Sequence, residues 1–201
     1  MEYKHFIFDL DGTLVDSEVP ILKTWQETFR EYNRDYSLEQ LKVVLYGPSL
    51  TVLRWLNFHD DERTFIQKWQ NNYEKYCLEV GFFDGIEKML KTLKAQGCTL
   101  GMVSLRSRYE YQRFFASFHL ENYFKYVIFG DDTLDQKPLL KYMEKANAKA
   151  EDCIYIGDMP DDVYCANHAH VASGFATWNK SGIICYEAKY IFNNPKDLLQ
   201  L

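Results

Sequence analysis

Residues 6–17 read Phe-Ile-Phe-Asp-Leu-Asp-Gly-Thr-Leu-Val-Asp-Ser, and this segment carries most of the functional information in the chain. Its apolar start is typical of a β-strand, and two carboxylates, Asp9 and Asp11, follow before a Gly-Thr turn. Side chains two positions apart on a strand point to the same face, so both carboxylates are expected to face one small space. Carboxylates crowded in this way bind a cation, divide nucleophilic and acid/base roles, or do both.

The composition of the chain excludes several classes of function. At 201 residues it fits one domain, or one domain with an insertion, and it favours neither a monomer nor a dimer. A net charge of −6 argues against a nucleic-acid-binding surface, which needs a basic footprint. The five cysteines include no Cys-x-x-Cys pair, which favours reduced thiols. Without an apolar leader or an apolar run of about 18 residues, we expect a cytoplasmic protein with no membrane partner.

Short apolar runs alternate with amphipathic segments along most of the chain. We predict strands at residues 5–10, 99–104, 126–130, 153–157, 171–177 and 190–192. We predict helices at residues 85–96, 108–118, 138–146 and 161–168, the first of them capped by Asp84. Near-continuous apolar strands that alternate with helices are typical of a parallel sheet covered on both faces. The pattern therefore predicts an α/β fold built on a parallel sheet.

One segment, residues 16–83, interrupts this alternation. It contains no convincing strand, and its apolar residues recur with helical spacing. Ser37 and Gln40 form the pattern of a capping box that opens a helix, and Ser49 could cap another. We predict a helical subdomain over residues 16–83, inserted into a core formed by residues 1–15 and 84–201.

Polar residues follow the predicted strands at positions that suggest a common site. Ser104 ends the second strand, Lys137 begins a helix, and Asp158 follows the fourth strand. In open α/β sheets, the ligand crevice lies at the carboxyl ends of the strands. These three residues are therefore expected to join Asp9 and Asp11 there.

Together, these residues resemble the four motifs of the haloacid dehalogenase superfamily, in its phosphatase branch. Residues 9–17 resemble the first motif, Ser104 the second, Lys137-Pro138 the third, and Gly157-Asp158-x-x-x-Asp162 the fourth. The helical insertion after the first motif is similar to the superfamily's type 1 cap. The resemblance is to phosphoglycolate-phosphatase-like and β-phosphoglucomutase-like members, and it implies a Rossmann-like core that carries a helical cap.

The resemblance implies a Mg²⁺-dependent phosphatase acting on a small phosphorylated metabolite. Asp9 would be the nucleophile that forms an aspartyl-phosphate, and Asp11 would be the acid/base. Ser104 and Lys137 would act as further catalytic residues by binding the phosphoryl oxygens. The Asp9 carboxylate, the Asp11 backbone carbonyl and Asp158 would hold Mg²⁺.

Further residues complete the site that the resemblance implies. Asp162 would support Lys137 or a metal-bound water. Backbone groups at Gly12, Thr13 and Leu105 would bind the phosphate. Two assignments stay open. Arg106 either contacts the far end of a substrate or is a surface charge, and Gly47 lies either in a cap loop that reaches the substrate or in a plain turn between helices.

Two other functions stay open. A sugar-phosphate mutase of the same superfamily tends to carry Glu-Asp in the fourth motif, whereas this chain has Gly157-Asp158, which favours hydrolysis. A non-catalytic module is the other alternative, either a receiver-like domain phosphorylated on Asp9 or a degenerate binding protein. The complete set of motif residues argues against degeneracy, and a receiver domain has no use for a helical insertion.

Overall fold

Parallel strands and flanking helices make up most of the protein. The structure is a computed structural model, and it describes residues 2–46, 49–132 and 139–201. The strands are β1 (His5–Phe8), β2 (Val15–Asp16), β3 (Gly81–Phe82), β4 (Thr99–Val103), β5 (Tyr126–Ile128), β6 (Cys153–Gly157), β7 (Ala172–Ala176) and β8 (Tyr190–Phe192). The α-helices are α1 (Glu18–Arg30), α2 (Leu38–Leu41), α3 (Ser49–Trp55), α4 (Glu62–Tyr76), α5 (Ile86–Ala95), α6 (Arg108–Phe114), α7 (Leu139–Ala146) and α8 (Pro160–His168). Across these described ranges, no helix combines the length and apolar character needed to cross a bilayer.

The main sheet has the strand order β5-β4-β1-β6-β7-β8, and each neighbouring pair is parallel. β1 is central, with Phe6 level with Leu100 of β4 and Ile154 of β6. Phe6 and Phe8 are completely buried, as expected for a strand covered on both faces. The predicted α/β fold is confirmed, and its central strand leads directly to Asp9.

The chain divides into two compact units. The core unit comprises Met1–Asp16 and Phe82–Leu201, and the helical unit comprises Ser17–Gly81. β2 and β3 pair in a separate two-stranded sheet. The chain therefore passes between the two units within this pair of short strands.

Aromatic side chains fill the interior of the helical unit. Phe65 of α4 lies between Trp25 and Phe29 of α1, with ring centroids 5.3 Å and 4.8 Å away. Trp69 stacks on Tyr73 with ring centroids 4.9 Å apart. Burial of each large apolar side chain stabilises the unit by roughly 1.5–3 kcal/mol. The helical periodicity of the aromatic residues therefore marks the packed faces of α1 and α4.

Polar contacts also join α1 to α4. Asn72 is buried, and its side-chain amide donates a hydrogen bond to Glu31 over 2.7 Å. The carboxylate of Glu27 accepts hydrogen bonds from Lys75 and Tyr76. These bonds, that of Lys75 first, hold the pKa of Glu27 below its ordinary value. The pair of helices is thus held by charge-assisted bonds as well as by ring packing.

The structure corrects two predictions about helices. The N-cap of α5 is Gly85 rather than Asp84, and Gly85 has a φ of +84°, a left-handed conformation that favours glycine. The predicted helix at residues 108–118 ends as an α-helix at Phe114, and the segment Ala116–Phe118 is a 3-10 helix. The capping box of Ser37 and Gln40 is present as predicted.

Strand limits also differ from the sequence predictions. β1, β4, β5 and β7 are each one or two residues shorter, because the apolar runs continue into turns beyond the last hydrogen-bonded pair. The sequence predicts no strand between residues 16 and 83, yet β3 lies there. A strand of two residues is too short to show an alternating pattern, so periodicity could not reveal it.

Candidate active site

Asp9 lies at the carboxyl end of the central strand. It follows β1 directly, and its backbone N–H donates to the Ile156 carbonyl over 2.9 Å. The chain then turns sharply at Gly12, whose φ is +78° and whose N–H donates to the Val15 carbonyl over 3.0 Å. The strand end and this turn therefore fix the backbone that carries Asp9 and Asp11.

Three buried carboxylates lie together at this edge of the sheet. The oxygens of Asp9, Asp158 and Asp162 lie within 4.8 Å of one another, and the residues are 5%, 6% and 1% exposed. Asp158 follows β6, which neighbours β1, and Asp162 lies in the first turn of α8. At an effective dielectric constant of about 20, each such pair of charges repels by roughly 3.5 kcal/mol. A cation would offset this repulsion, and buried carboxylate oxygens are ligands that Mg²⁺ accepts.

Two side chains hold the two oxygens of Asp158. Thr13 Oγ1 donates to Oδ1 over 2.9 Å, and Asn179 Nδ2 donates to Oδ2 over 2.8 Å. The Thr13 carbonyl in turn accepts from Trp178 Nε1 over 2.9 Å. A Cβ atom on Gly12 would lie 2.3 Å from Oδ2 of Asp158. The turn therefore requires glycine for its positive φ and for the space that the carboxylate occupies.

Asp162 is held by Met159 of its own motif and by Tyr155 of β6. Oδ2 accepts from the Met159 N–H, and Oδ1 accepts from the buried Tyr155 hydroxyl, both over 3.0 Å. A Cβ atom on Gly157 would lie 2.2 Å from Cγ of Asp162. Asp162 is thus fixed beside the other two carboxylates, and residue 157 has no room for a side chain.

Asp11 is not one of the three clustered carboxylates, and its side chain forms an ion pair with Arg106. Arg106 Nε donates to Oδ2 over 2.6 Å and Nη2 donates to Oδ1 over 2.9 Å, which is a bidentate contact. Arg106 is 9% exposed, and its guanidinium carbon lies 4.6 Å from the centre of the Phe115 ring. The guanidinium therefore orients the Asp11 carboxylate and stabilises its ionised form.

Ser104 lies at the end of β4 in a tightly held loop. Its N–H donates to the Ile128 carbonyl over 3.1 Å, and its Oγ accepts from the Arg106 N–H over 3.2 Å. Gly130 packs against this loop, because its N–H donates to the Arg106 carbonyl and a Cβ would lie 2.2 Å from the Leu105 carbonyl oxygen. These backbone contacts fix the position of the Ser104 hydroxyl beside the loop.

Two of the site residues predicted from the sequence, Gly47 and Lys137, lie outside the described residues. Thr13, predicted to bind phosphate through its backbone, has a completely buried side chain whose hydroxyl holds Asp158. Arg106, which the sequence leaves between a substrate contact and a surface charge, is a buried partner of Asp11.

Sequence reasoning missed Tyr155, Trp178 and Asn179. Trp178 and Asn179 follow the predicted strand at residues 171–177, so the rule that places ligand crevices at strand ends could have found them. Tyr155 lies inside an apolar strand, and the sequence carries no signal that its hydroxyl bonds to Asp162. All three donate hydrogen bonds to the carboxylates or to the turn beside them.

The fold agrees with comparisons to known proteins. A family model described as haloacid dehalogenase-like hydrolase matches residues 6–176. The chain belongs to the haloacid dehalogenase-like hydrolase family. The family predicted from the four motifs is confirmed, and with it the assignment of the chain to a class of enzymes.

Individual relatives match over most of their length. The chain is 24% identical to pyrophosphatase PpaX of Oceanobacillus iheyensis, over 100% of this chain and 97% of the relative. It is 29% identical to a phosphoglycolate phosphatase of Xanthomonas campestris, over 86% of this chain and 82% of the relative. A solved structure from Lactobacillus plantarum has the same fold, with a TM-score of 0.89, 23% identity, and coverage of 100% of this chain and 99% of that one.

Proposed function

We propose that this protein is a Mg²⁺-dependent phosphatase that hydrolyses a small phosphorylated metabolite through an aspartyl-phosphate on Asp9. The observation that carries the proposal is the buried group of Asp9, Asp158 and Asp162 at the end of the central strand. Buried carboxylates so close together need a compensating cation, and Asp9 is the one that directly follows the central strand β1. The names of the phosphatase relatives support the same reaction class.

The residues divide into metal ligands and phosphate ligands. Asp9, Asp158 and the backbone carbonyl of Asp11 would hold Mg²⁺, with Asp162 beside them. When bound, Mg²⁺ neutralises part of the phosphate charge and orients its oxygens. Ser104, which directly follows β4, would donate its hydroxyl to a phosphoryl oxygen.

Other groups would complete the phosphate site. Lys137 would supply a positive charge, an assignment that rests on its motif alone. The backbone N–H groups at Gly12, Thr13 and Leu105 would donate to the remaining phosphoryl oxygens. Together they would stabilise the charge that builds up as phosphorus is transferred.

The reaction would proceed in two displacements at phosphorus. In the first, a carboxylate oxygen of Asp9 attacks phosphorus, the bond to the leaving oxygen breaks, and that oxygen takes a proton from Asp11. In the second, Asp11 removes a proton from water, the water oxygen attacks phosphorus, and the bond to Asp9 breaks. Inorganic phosphate leaves, and Asp9 and Asp11 return to their starting states.

The helical unit is proposed as a cap that selects the substrate and excludes water during transfer. Its insertion directly after Asp16 links it to the motif that carries Asp9 and Asp11. The action of the protein on a small metabolite in the cytoplasm stays a prediction.

Hydrolysis is favoured over the mutase alternative by the packing at residue 157. The glutamate that mutase-type relatives tend to carry there would need space that Asp162 fills, because even a Cβ would lie 2.2 Å from its Cγ. A mutase would return an isomerised sugar phosphate, whereas a phosphatase releases inorganic phosphate. Product analysis with hexose phosphates separates the two.

Replacement of the nucleophile tests the proposal. Asp9→Asn is expected to abolish hydrolysis of p-nitrophenyl phosphate, because an amide oxygen cannot form the acyl-phosphate. Asp161→Asn is a matched control, since Asp161 is an exposed residue beside Asp162. EDTA should remove the activity of the unmodified protein, and excess Mg²⁺ should restore it.

Turnover by the Asp9→Asn protein would rule out Asp9 as the nucleophile. A stable phosphorylated form of the unmodified protein, without turnover, would favour the receiver-like alternative instead. A panel containing pyrophosphate, phosphoglycolate, sugar phosphates and nucleotides would then identify the substrate class.

A further inference from the structure

We propose that Asn179 is a positioning residue for the metal site, which sets the Asp158 carboxylate in the orientation that binds Mg²⁺. The inference rests on the proposed function, because it assigns Asp158 to the metal. Asn179 lies in the loop after β7, outside the four sequence motifs, and its side-chain amide donates to Oδ2 of Asp158 over 2.8 Å. The two residues are 21 positions apart in the chain.

The orientation of the Asn179 amide is set by a second hydrogen bond. Its Oδ1 accepts from the Ser181 backbone N–H over 3.1 Å, so the oxygen end of the amide is fixed by a group that can only donate. The nitrogen end must then face Asp158. The amide therefore acts as a donor to the carboxylate and not as an acceptor.

The loop that carries Asn179 is anchored on both sides of the site. Trp178 Nε1 donates to the Thr13 carbonyl over 2.9 Å, in the turn that follows Asp9. Thr177 N donates to the Phe192 carbonyl over 2.9 Å, which ties the loop to β8. Thr13 also donates to Asp158, so Trp178, Thr13, Asp158 and Asn179 are linked in one closed set of contacts. The donor nitrogen is thus held in place independently of Asp158.

This support matters because Asp158 lies near two other carboxylates. One oxygen each of Asp9, Asp158 and Asp162 lie within 4.8 Å of one another. Without Asn179, Thr13 would still hold Oδ1 of Asp158, but repulsion from the other two carboxylates would favour rotation of Oδ2 out of its position. A carboxylate oxygen can accept two bonds, so the hydrogen bond from Asn179 is compatible with metal coordination. Outer partners of this kind typically change metal affinity by about 10- to 100-fold when they are removed.

The test is direct titration of the full-length protein with MgCl₂ in a calorimeter, without substrate. Asn179→Leu keeps a similar shape but removes the donor, and its Kd for Mg²⁺ is expected to rise by about tenfold or more. Trp178→Phe removes the loop's bond to Thr13 and should also weaken binding. Asn122→Ala is the control, because Asn122 is exposed in the core unit, and its Kd should match that of the unmodified protein.

A second readout separates positioning from general damage to the fold. In assays with p-nitrophenyl phosphate, Asn179→Leu should need more Mg²⁺ for half-maximal activity but recover its kcat at saturating Mg²⁺. A Kd within twofold of the unmodified value would overturn the inference and leave the proposed function intact. Failure of the unmodified protein to bind Mg²⁺ would overturn both.

Discussion

The carboxylate of Asp11 receives two hydrogen bonds from one guanidinium, and this pairing constrains the acid/base role proposed for it. To protonate a leaving oxygen, Asp11 must carry a proton, whereas Arg106 favours the ionised carboxylate. The same guanidinium fixes the direction in which the carboxylate points. Arg106 is therefore expected to influence proton transfer more than the attack on phosphorus.

Replacement of Arg106 by alanine should therefore slow the hydrolysis of substrates whose leaving group needs a proton more than that of substrates whose leaving group does not. Arg106→Ala is expected to lower kcat for an alkyl phosphate by about 10², because alkoxide departure needs a proton from an Asp11 carboxyl that the guanidinium holds in the right direction, and the loss of this orientation is expected to outweigh easier protonation. The single-turnover release of p-nitrophenolate should change much less, since this anion leaves without a proton. Rapid-mixing measurements of both substrates test the difference.

Asp11→Asn provides the reference for that experiment. Asp11→Asn should also slow the alkyl phosphate much more than the release of p-nitrophenolate, because it removes the proton donor itself. Equal losses for both substrates in Arg106→Ala would contradict a role in proton transfer and favour a role in folding or phosphate binding.

The residues proposed to carry the chemistry stand out in the sequence, whereas most residues that contact them do not. Asp9 and Asp11 stand beside an apolar run, and Asp158 follows another, so local pattern alone places them at strand ends. The contact between Asn179 and Asp158, and that between Trp178 and Thr13, join positions 21 and 165 residues apart. A single hydrogen bond between distant loops produces no periodic pattern in the sequence, so sequence analysis cannot predict it.

Contacts between α1 and α4 are expected to make the stability of the helical unit depend on pH. Glu27 of α1 accepts hydrogen bonds from Lys75 and Tyr76, and these lower its pKa in the folded state. A lowered carboxyl pKa stabilises the fold above the unfolded value of about 4.3, and this stabilisation is lost as the pH falls through the folded value. The Glu27 side chain is 31% exposed and that of Lys75 is 57% exposed, so solvent weakens their interaction. The pH-dependent stabilisation is therefore under about 1 kcal/mol.

Glu27→Gln should therefore destabilise the helical unit at neutral pH but not in acid. The difference in unfolding free energy from the unmodified protein is expected to shrink as the pH falls below the unfolded pKa of about 4.3. Tryptophan fluorescence follows this unit in denaturant titrations, since Trp25, Trp55 and Trp69 lie within it.

A matched variant in the core unit controls for general charge effects. Glu151 forms an exposed pair with Lys149, 3.9 Å apart, and Glu151→Gln should leave the fluorescence transition unchanged at every pH. A constant difference between Glu27→Gln and the unmodified protein across the pH range would show that the Glu27 contacts do not depend on its charge.

At the scale of the whole molecule, the proposed metal binding would be coupled to the stability of the core unit. The carboxylates of Asp9, Asp158 and Asp162 come from separate positions that only the folded sheet brings together. A cation that binds this group stabilises the folded state, by about 2.7 kcal/mol at a concentration 100 times its Kd. That corresponds to a rise in melting temperature on the order of 5–10 °C.

Calorimetric melting with and without MgCl₂, at constant ionic strength, checks this coupling. The transition of the core unit should move upward and that of the helical unit should not. Asp158→Asn should lose the shift, because it removes one of the three carboxylates. An equal shift in the Asp158→Asn protein would place the cation elsewhere.

The pairing of β2 with β3 bears on whether the inserted helical unit can be replaced by another insertion. The two strands lie at the spacing of neighbours in a sheet, about 4.8 Å, so the helical unit leaves and re-enters the core through adjacent points. A short turn could bridge that gap and leave the six-stranded sheet intact. Insertions of other lengths can therefore be grafted at the same junction, which makes the helical unit exchangeable without rebuilding the core unit.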